Sequence, residues 1–194
     1  MPSKFYVIWR GHKPGIYNSW EECLRQTHGF AGAQYKSYKT LAEAKAAFEE
    51  QAQERQESNR PLPDSISVDG ACSSTNGMME YRGVITGTKQ EIFRMGPYPS
   101  GTNNIAEFLA IVHALALCKQ KNVTAPIYSD SATALAWIRK KKANTKCESS
   151  DVNAEIFDMI ARAEKWLAEN TWKNKLMKWE THKWGEVPAD FGRK

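Results

Sequence analysis

The segment Gly101-Thr102-Asn103-Asn104-Ile105-Ala106-Glu107-Phe108-Leu109-Ala110 decides how this chain is read. It passes from a polar loop, Gly-Thr-Asn-Asn, into a helix, because Ile105, Phe108, Leu109, Val112 and Leu115 recur at the spacing of one helical face. Glu107 stands off that apolar stripe, three and four residues after Asn104 and Asn103. The three polar side chains therefore share one face near the helix start. Taken alone, a carboxylate and two amides in the first turns read as capping. The positions of the other carboxylates shift that reading.

Downstream, Ala125–Ser129 is a short buried strand that ends at Asp130, followed by helices over Ser131–Lys142 and Asp151–Glu169 and a strand over Leu176–Thr181. The tail from Trp184 reads as a last helix or turn. Upstream, Ser-Ile-Ser-Val alternates into Asp69, which closes a strand before Gly70. Cys72–Gly77 turns, and Glu80–Thr86 with Gln90–Met95 forms a hairpin. Antiparallel strands followed by β-α-β-α-α-β predict a mixed sheet flanked by helices. Asp69 and Asp130 both fall at strand exits, where open α/β sheets collect ligands. With Glu107 and Asp190 they are either four unrelated caps or one cluster. As a cluster they would suit Mg²⁺ or Mn²⁺, whose hard character selects carboxylate and phosphate oxygens. Two such ions ~4 Å apart activate water for in-line displacement at a phosphodiester. Without metal the cluster repels itself.

The first 48 residues have a different texture. Lys4–Trp9 is a strand, Gly11–Gly15 a turn, and Ser19 an N-cap for a helix over Trp20–Gln26. Ala33–Tyr38 returns as a strand, and Thr40 caps an alanine-rich helix, Leu41–Glu50. Tyr6, Trp20 and Tyr35 are interleaved with Arg10, Lys13, Lys36 and Lys39. They are either a small core or a surface on which bases and sugars stack while cations neutralise phosphates. Residues 49–64 are acidic and Gln-rich, then broken by Pro61 and Pro63, and read as a linker that is partly helical at its start.

With 194 residues and 41% hydrophobic content, the chain has room for one substantial domain, or for one medium domain with a small companion. Its net charge of +5 suits an acidic partner. Cys23, Cys72, Cys118 and Cys147 form no CxxC pair and no zinc spacing, so they are expected to be reduced thiols. No charged-then-apolar leader or apolar run of ~20 residues is present, which makes a soluble, cytoplasmic protein the expectation.

The runs FYVIWRGHKPGIYNSWEEC (residues 5–23) and GFAGAQYKSYKTLAEA (residues 29–44) resemble the small hybrid-binding domain at the N-terminus of many type I ribonucleases H. SVDGxC, GTNNxAEFLA, IYSDSxTA and the C-terminal GExxADxGRK, in that order, resemble the catalytic domain of the same family. The resemblance implies a small α/β hybrid-binding domain over residues 1–48, a linker over 49–64, and a ribonuclease H-like α/β domain over 65–194. The latter is a mixed five-stranded sheet flanked by helices. It also implies an endoribonuclease that cuts the RNA strand of RNA/DNA hybrids with two Mg²⁺ ions, for which Mn²⁺ can substitute, leaving 5′-phosphate and 3′-hydroxyl ends.

Carried over by position, Asp69, Glu107, Asp130 and Asp190 are the metal-binding carboxylates; His182 is a candidate for the family's His that assists proton transfer or product departure, and Glu186 for its Glu that interacts with metal. Asn103 and Glu107 match readers of RNA 2′-hydroxyls. Thr102, Asn104 and Thr145 match a DNA phosphate pocket, Trp137 and Thr181 a DNA-strand channel, and Asn76 an RNA contact. Tyr6, Trp20, Tyr35 and Lys36 match nucleic-acid contacts of the small domain, which in this family also grips double-stranded RNA. Three departures stand out: Ser74-Thr75-Asn76-Gly77 where Gly-Asn-Pro-Gly is usual, Ala132 where Gln often stands, and Ser37 where a second Lys often stands. A monomer is expected, as is a structural role for His113. A hybrid-binding protein without activity, or a DNA-acting enzyme on the same fold, are the alternatives.

Overall fold

A computed structural model describes residues 4–58 and 60–192, with residues 53–58 described by their backbone alone. The chain divides into two compact units, Met1–Arg60 and Pro61–Lys194.

In the first unit, β1 (Phe5–Arg10) is the middle strand of a three-stranded antiparallel sheet with β2 (Gly15–Tyr17) and β3 (Gln34–Tyr38). Helix α1 (Trp20–Thr27) starts where the sequence places it, because the Ser19 hydroxyl accepts the Glu22 N–H at 3.2 Å. Helix α2 (Leu41–Ser58) opens with a reciprocal cap. The Thr40 hydroxyl accepts the Glu43 N–H, and the Glu43 carboxylate accepts the Thr40 N–H. One expectation changes here: Gly15, expected to close a turn, instead opens β2, which pairs Tyr17 with Tyr6. The helical start expected of the linker is continuous with α2, which runs on to Ser58. Its Glu, Gln, Ala and Arg residues are good helix formers, and nothing breaks them before Pro61.

The second unit carries a five-stranded sheet in the order β6-β5-β4-β7-β8. Strands β4 (Ile66–Cys72), β5 (Met79–Ile85) and β6 (Glu91–Tyr98) are antiparallel, and β7 (Ile127–Ser129) and β8 (Leu176–Lys178) join parallel. Helix α3 (Asn103–Gln120) buries Ile105, Phe108, Leu109, Val112 and Leu115, with α4 (Ala132–Lys140) and α5 (Ala154–Glu169) packed on it. Helix α4 stops at Lys140, short of the expected Lys142, because Lys141 turns left-handed (φ 54°) and its N–H closes back on Ile138. A 3₁₀ turn, Asp151–Asn153, precedes α5.

Strand β8 ends at Lys178, three residues early. Trp179 still donates to the Ser129 carbonyl, and the chain then coils into α6 (Thr181–Trp184). Beyond α6 the tail forms no helix among the described residues; Tyr128, Trp179 and Val187 hold it in a second small core.

Gly70 shows how tightly α3 meets the sheet. A Cβ there would lie 2.4 Å from the Ala106 Cβ and 2.5 Å from the Glu107 N. Only a glycine lets the start of α3 lie on β4, and that contact brings Glu107 beside Asp69. No helix among the described residues is long and apolar enough to cross a membrane.

Candidate metal centre and nucleic-acid interface

Three elements deliver the first three carboxylates. Asp69 lies in β4, Asp130 follows β7 directly, and Glu107 is the fifth residue of α3. Each offers an oxygen within 4.8 Å of the other two. Ser131 caps α4 by accepting the Ala134 N–H at 3.1 Å, and its side chain also hydrogen-bonds Glu107. One short turn therefore fixes both Asp130 and its neighbour carboxylate.

Burial is what makes this group unusual. Desolvation, then the charges of Asp130, Glu107 and Asp190, push the Asp69 pKa from 3.8 up to about 7, against one backbone hydrogen bond. Desolvation and the Asp130 charge push Glu107 to about 7 as well. Asp130 is raised by desolvation and by Asp190 and Glu186, while Lys178 lowers it. Asp130 Oδ1 is buried with no hydrogen-bond partner. A buried carboxylate oxygen without a donor is costly, and carboxylates crowded together cannot all ionise cheaply. Both costs are removed if the oxygens coordinate a cation. An all-oxygen donor set of this kind fits a hard divalent ion.

Asp190 lies in the tail, close enough to raise both Asp69 and Asp130. Its Oδ2 accepts the Gly192 N–H at 2.8 Å. Glu186 acts on Asp130 in the same way. His182 is placed differently: it is exposed, and its Nδ1 pairs with Glu180 at 3.5 Å.

A groove of about 540 Å³ at the start of α3 brings together Thr102, Asn104, Trp137 and Thr145, joined by Thr133, Asn144, Lys146 and Cys147. Thr102 caps α3, accepting the Ile105 N–H at 3.3 Å, which leaves its own O–H to donate. The start of α3 supplies unpaired N–H groups and the positive end of the helix dipole. Trp137 is 6% exposed and packs edge-on against Phe108 (centroids 5.9 Å apart), so it belongs to the core while lining the groove. Thr181 is not among the groove's lining residues; it opens α6. The Asn103 side-chain oxygen accepts the Cys72 N–H at 2.6 Å, tying α3 to the end of β4. Asn76 sits in the β4–β5 turn and accepts the Met78 N–H.

In the first unit, Tyr6, Trp20 and Tyr35 form a ladder with centroid spacings of 5.6 and 5.9 Å. Trp20 and Tyr35 are each 45% exposed, too open for a core alone. Lys36 is not part of the ladder. Strand alternation sends it to the opposite face from Tyr35, where its ammonium lies 5.6 Å from the Tyr38 ring centre.

Sequence reading missed Lys178, whose ammonium donates to the Asp130 carbonyl and whose charge lowers both Glu107 and Asp130. Nothing local in Leu-Met-Lys-Trp marks it. Only the parallel pairing of Lys178 with Ser129 brings it to the cluster.

The ribonuclease H1 N-terminal domain model matches residues 4–48, and the RNase H family model matches residues 65–186. A ribonuclease H of Crithidia fasciculata is 50% identical over 46 residues, which are 24% of this chain and 9% of that protein. A ribonuclease H of Saccharomyces cerevisiae is 43% identical over 42 residues, 22% of this chain and 12% of that protein. The chain thus spans about a tenth of the length of these relatives. Among solved structures, RNase H1 from the halophilic archaeon Halobacterium salinarum aligns at a TM-score of 0.41 and 15% identity, over 61% of this chain and 86% of the other. LC11-RNase H1 in complex with an RNA/DNA hybrid aligns at 0.37 and 19%, over 61% and 86%.

Proposed function

The chain belongs to the RNase H family, and from that premise we propose that it is an endoribonuclease hydrolysing the RNA strand of RNA/DNA hybrids. One observation carries the reading: Asp69, Glu107 and Asp130 meet within 4.8 Å as desolvated carboxylates, one with a buried oxygen that no donor satisfies. With Asp190 they would hold two Mg²⁺ ions, with Mn²⁺ as a substitute. Bound there, the ions supply an activated water and neutralise charge on the leaving oxygen.

The protein's own part is to orient the substrate. Glu107 and Asn103 would meet RNA 2′-hydroxyls, which distinguish RNA from DNA. Thr102, Asn104 and Thr145 would take a DNA-strand phosphate at the start of α3, where a helix N-terminus favours anions. Lys146, in the same groove, adds a cation for it. Trp137 and Thr181 would pass the deoxyribose strand, and Asn76 would contact RNA. Glu186 and His182 would assist product departure. The products would carry 5′-phosphate and 3′-hydroxyl ends.

The N-terminal unit would bind the hybrid, or double-stranded RNA, through the ladder of Tyr6, Trp20 and Tyr35. It raises effective concentration at the catalytic unit without adding chemistry. We take the working form to be a cytoplasmic monomer. Replacing Trp20 with Ala is expected to weaken hybrid binding about tenfold, the scale of one lost stacking contact. In fluorescence anisotropy the Kd should rise, while kcat at saturating hybrid stays at the wild-type value.

The reaction is tested by the ends it leaves. Cleaved RNA fragments that a polymerase extends directly support attack by water. Fragments ending in 2′,3′-cyclic phosphate would overturn it, because they require attack by the neighbouring hydroxyl.

A further inference from the structure

Asp190 lies in the tail beyond the last helix, yet it acts on both Asp69 and Asp130. What holds it is visible across the sheet. Asp69 in β4 pairs directly with Arg82 in β5, and Arg82 pairs with Arg94 in β6. Directly paired residues point to the same face, so the three form a row. Gly70, the next residue, packs on Ala106 of α3, so the row lies on the face away from that helix.

The tail crosses this row. Arg82 Nε donates to the Ala189 carbonyl at 2.8 Å, and its Nη2 to the Asp190 carbonyl at 2.6 Å. The Phe191 ring lies 4.9 Å from the Arg82 guanidinium and 5.3 Å from that of Arg94. Both guanidiniums are themselves anchored. Arg82 Nη1 meets Glu91 at 3.3 Å, and Arg94 meets the buried Glu80 through two nitrogens at 3.1 and 2.6 Å. Upstream, the tail is held by Val187 in its small apolar core. From Ala189 onward this pair of arginines ties the tail to the sheet.

We propose that Arg82 is the positioning residue that carries Asp190 to the other carboxylates, with Arg94 and Phe191 completing the clamp. Its rigid fork spans two successive carbonyls, which a lysine ammonium cannot match. The inference rests on Asp190 serving the same site as Asp69 and Asp130.

The test uses the full chain carrying Arg82→Ala, Arg82→Lys, Asp190→Asn and the Arg82→Ala/Asp190→Asn double variant. Hydrogen exchange of the metal-free proteins reads the clamp without activity. In Arg82→Ala the amides of residues 189–192 should exchange at least about tenfold faster, while those of β4 and α3 keep their protection. In hybrid cleavage, kcat should fall on the order of 100-fold, the cost of a ligand displaced by about 1 Å, with KM little changed. Arg82→Lys should recover part of that loss. The double variant should be no worse than Asp190→Asn alone, since both remove the same contribution.

Phe191→Ala loses both ring contacts and leaves the sheet intact. It should show the same pattern in smaller measure, and it serves as the readout if Arg82→Ala does not fold. If the wild type cut no hybrid, the proposed activity would fail while the exchange data still judged the clamp. Unchanged exchange at residues 189–192, or losses that multiply in the double variant, would overturn the role assigned to Arg82.

Discussion

Replacing Asp69 with Asn is expected to lower hybrid cleavage by at least about 10³-fold, since the metal-held charge at such sites supplies several kcal/mol. The same substitution should make the metal-free protein more stable. Asp69 is 8% exposed, and its pKa is raised from 3.8 to about 7 by burial and by three neighbouring carboxylates. Holding it ionised at pH 8 therefore costs the folded chain a few kcal/mol. The amide has the same shape, keeps an acceptor for the Gly70 N–H and carries no charge. For a chain of this size each kcal/mol moves Tm by about 3 °C, so a rise of several degrees is expected in EDTA at pH 8. A carboxylate kept for structure would behave in the opposite way, losing stability when its charge is removed. Thermal melts of the two proteins, with circular dichroism to confirm the fold, separate the alternatives.

The second large effect is a coupling of metal, pH and stability. Asp69 and Glu107 both have folded pKa values near 7, above their ordinary 3.8 and 4.5. Between about pH 4 and 7 the folded chain holds protons that the unfolded chain has released. The stability due to these groups is complete below the unfolded values and is lost as pH climbs through the folded ones. In EDTA their contribution to Tm should thus decline from pH 5 to pH 8. Mg²⁺ should reverse the trend, because it would bind the ionised oxygens in competition with protons. The Tm gain on adding Mg²⁺ should be several degrees at pH 8 and much smaller at pH 5.5. In Asp69→Asn both the pH slope and the Mg²⁺ gain should shrink. An equal Mg²⁺ gain at both pH values would contradict the assignment.

Much of this site can be read from the sequence because its residues stand at element ends with local signatures. Ser131 and Thr102 are ordinary N-caps, and the apolar stripe of α3 fixes which way Glu107 faces. Asp130 follows a strand short and apolar enough to recognise, whereas Asp69, expected to close its strand, lies within β4, whose pairing with β5 carries it on to Cys72. Other features depend on pairing between distant segments. Arg82 looks like a surface residue of a hairpin until β5 is set beside β4 and the tail is laid over both. Lys178 reaches Asp130 only through the parallel pairing of β7 and β8. Lys36 adjoins Tyr35 in sequence, but strand alternation parts them. The helical start of the linker is legible in its Glu, Gln, Ala and Arg residues, whereas its continuity with α2 as far as Ser58 is not, because an acidic, Gln-rich composition suits a linker and a solvated helix equally.

The central claim is a metal-dependent cut of one strand of one kind of duplex at this carboxylate cluster. The most direct measurement places an end-labelled RNA/DNA hybrid beside matched duplex RNA and duplex DNA. Each is incubated with the wild-type protein and with Asp130→Asn, in Mg²⁺ and in EDTA. Cleavage confined to the RNA strand of the hybrid, present in Mg²⁺ and lost in EDTA and in Asp130→Asn, is the predicted result. Tight hybrid binding without cutting in Mg²⁺, or cutting that persists in Asp130→Asn, would contradict the account.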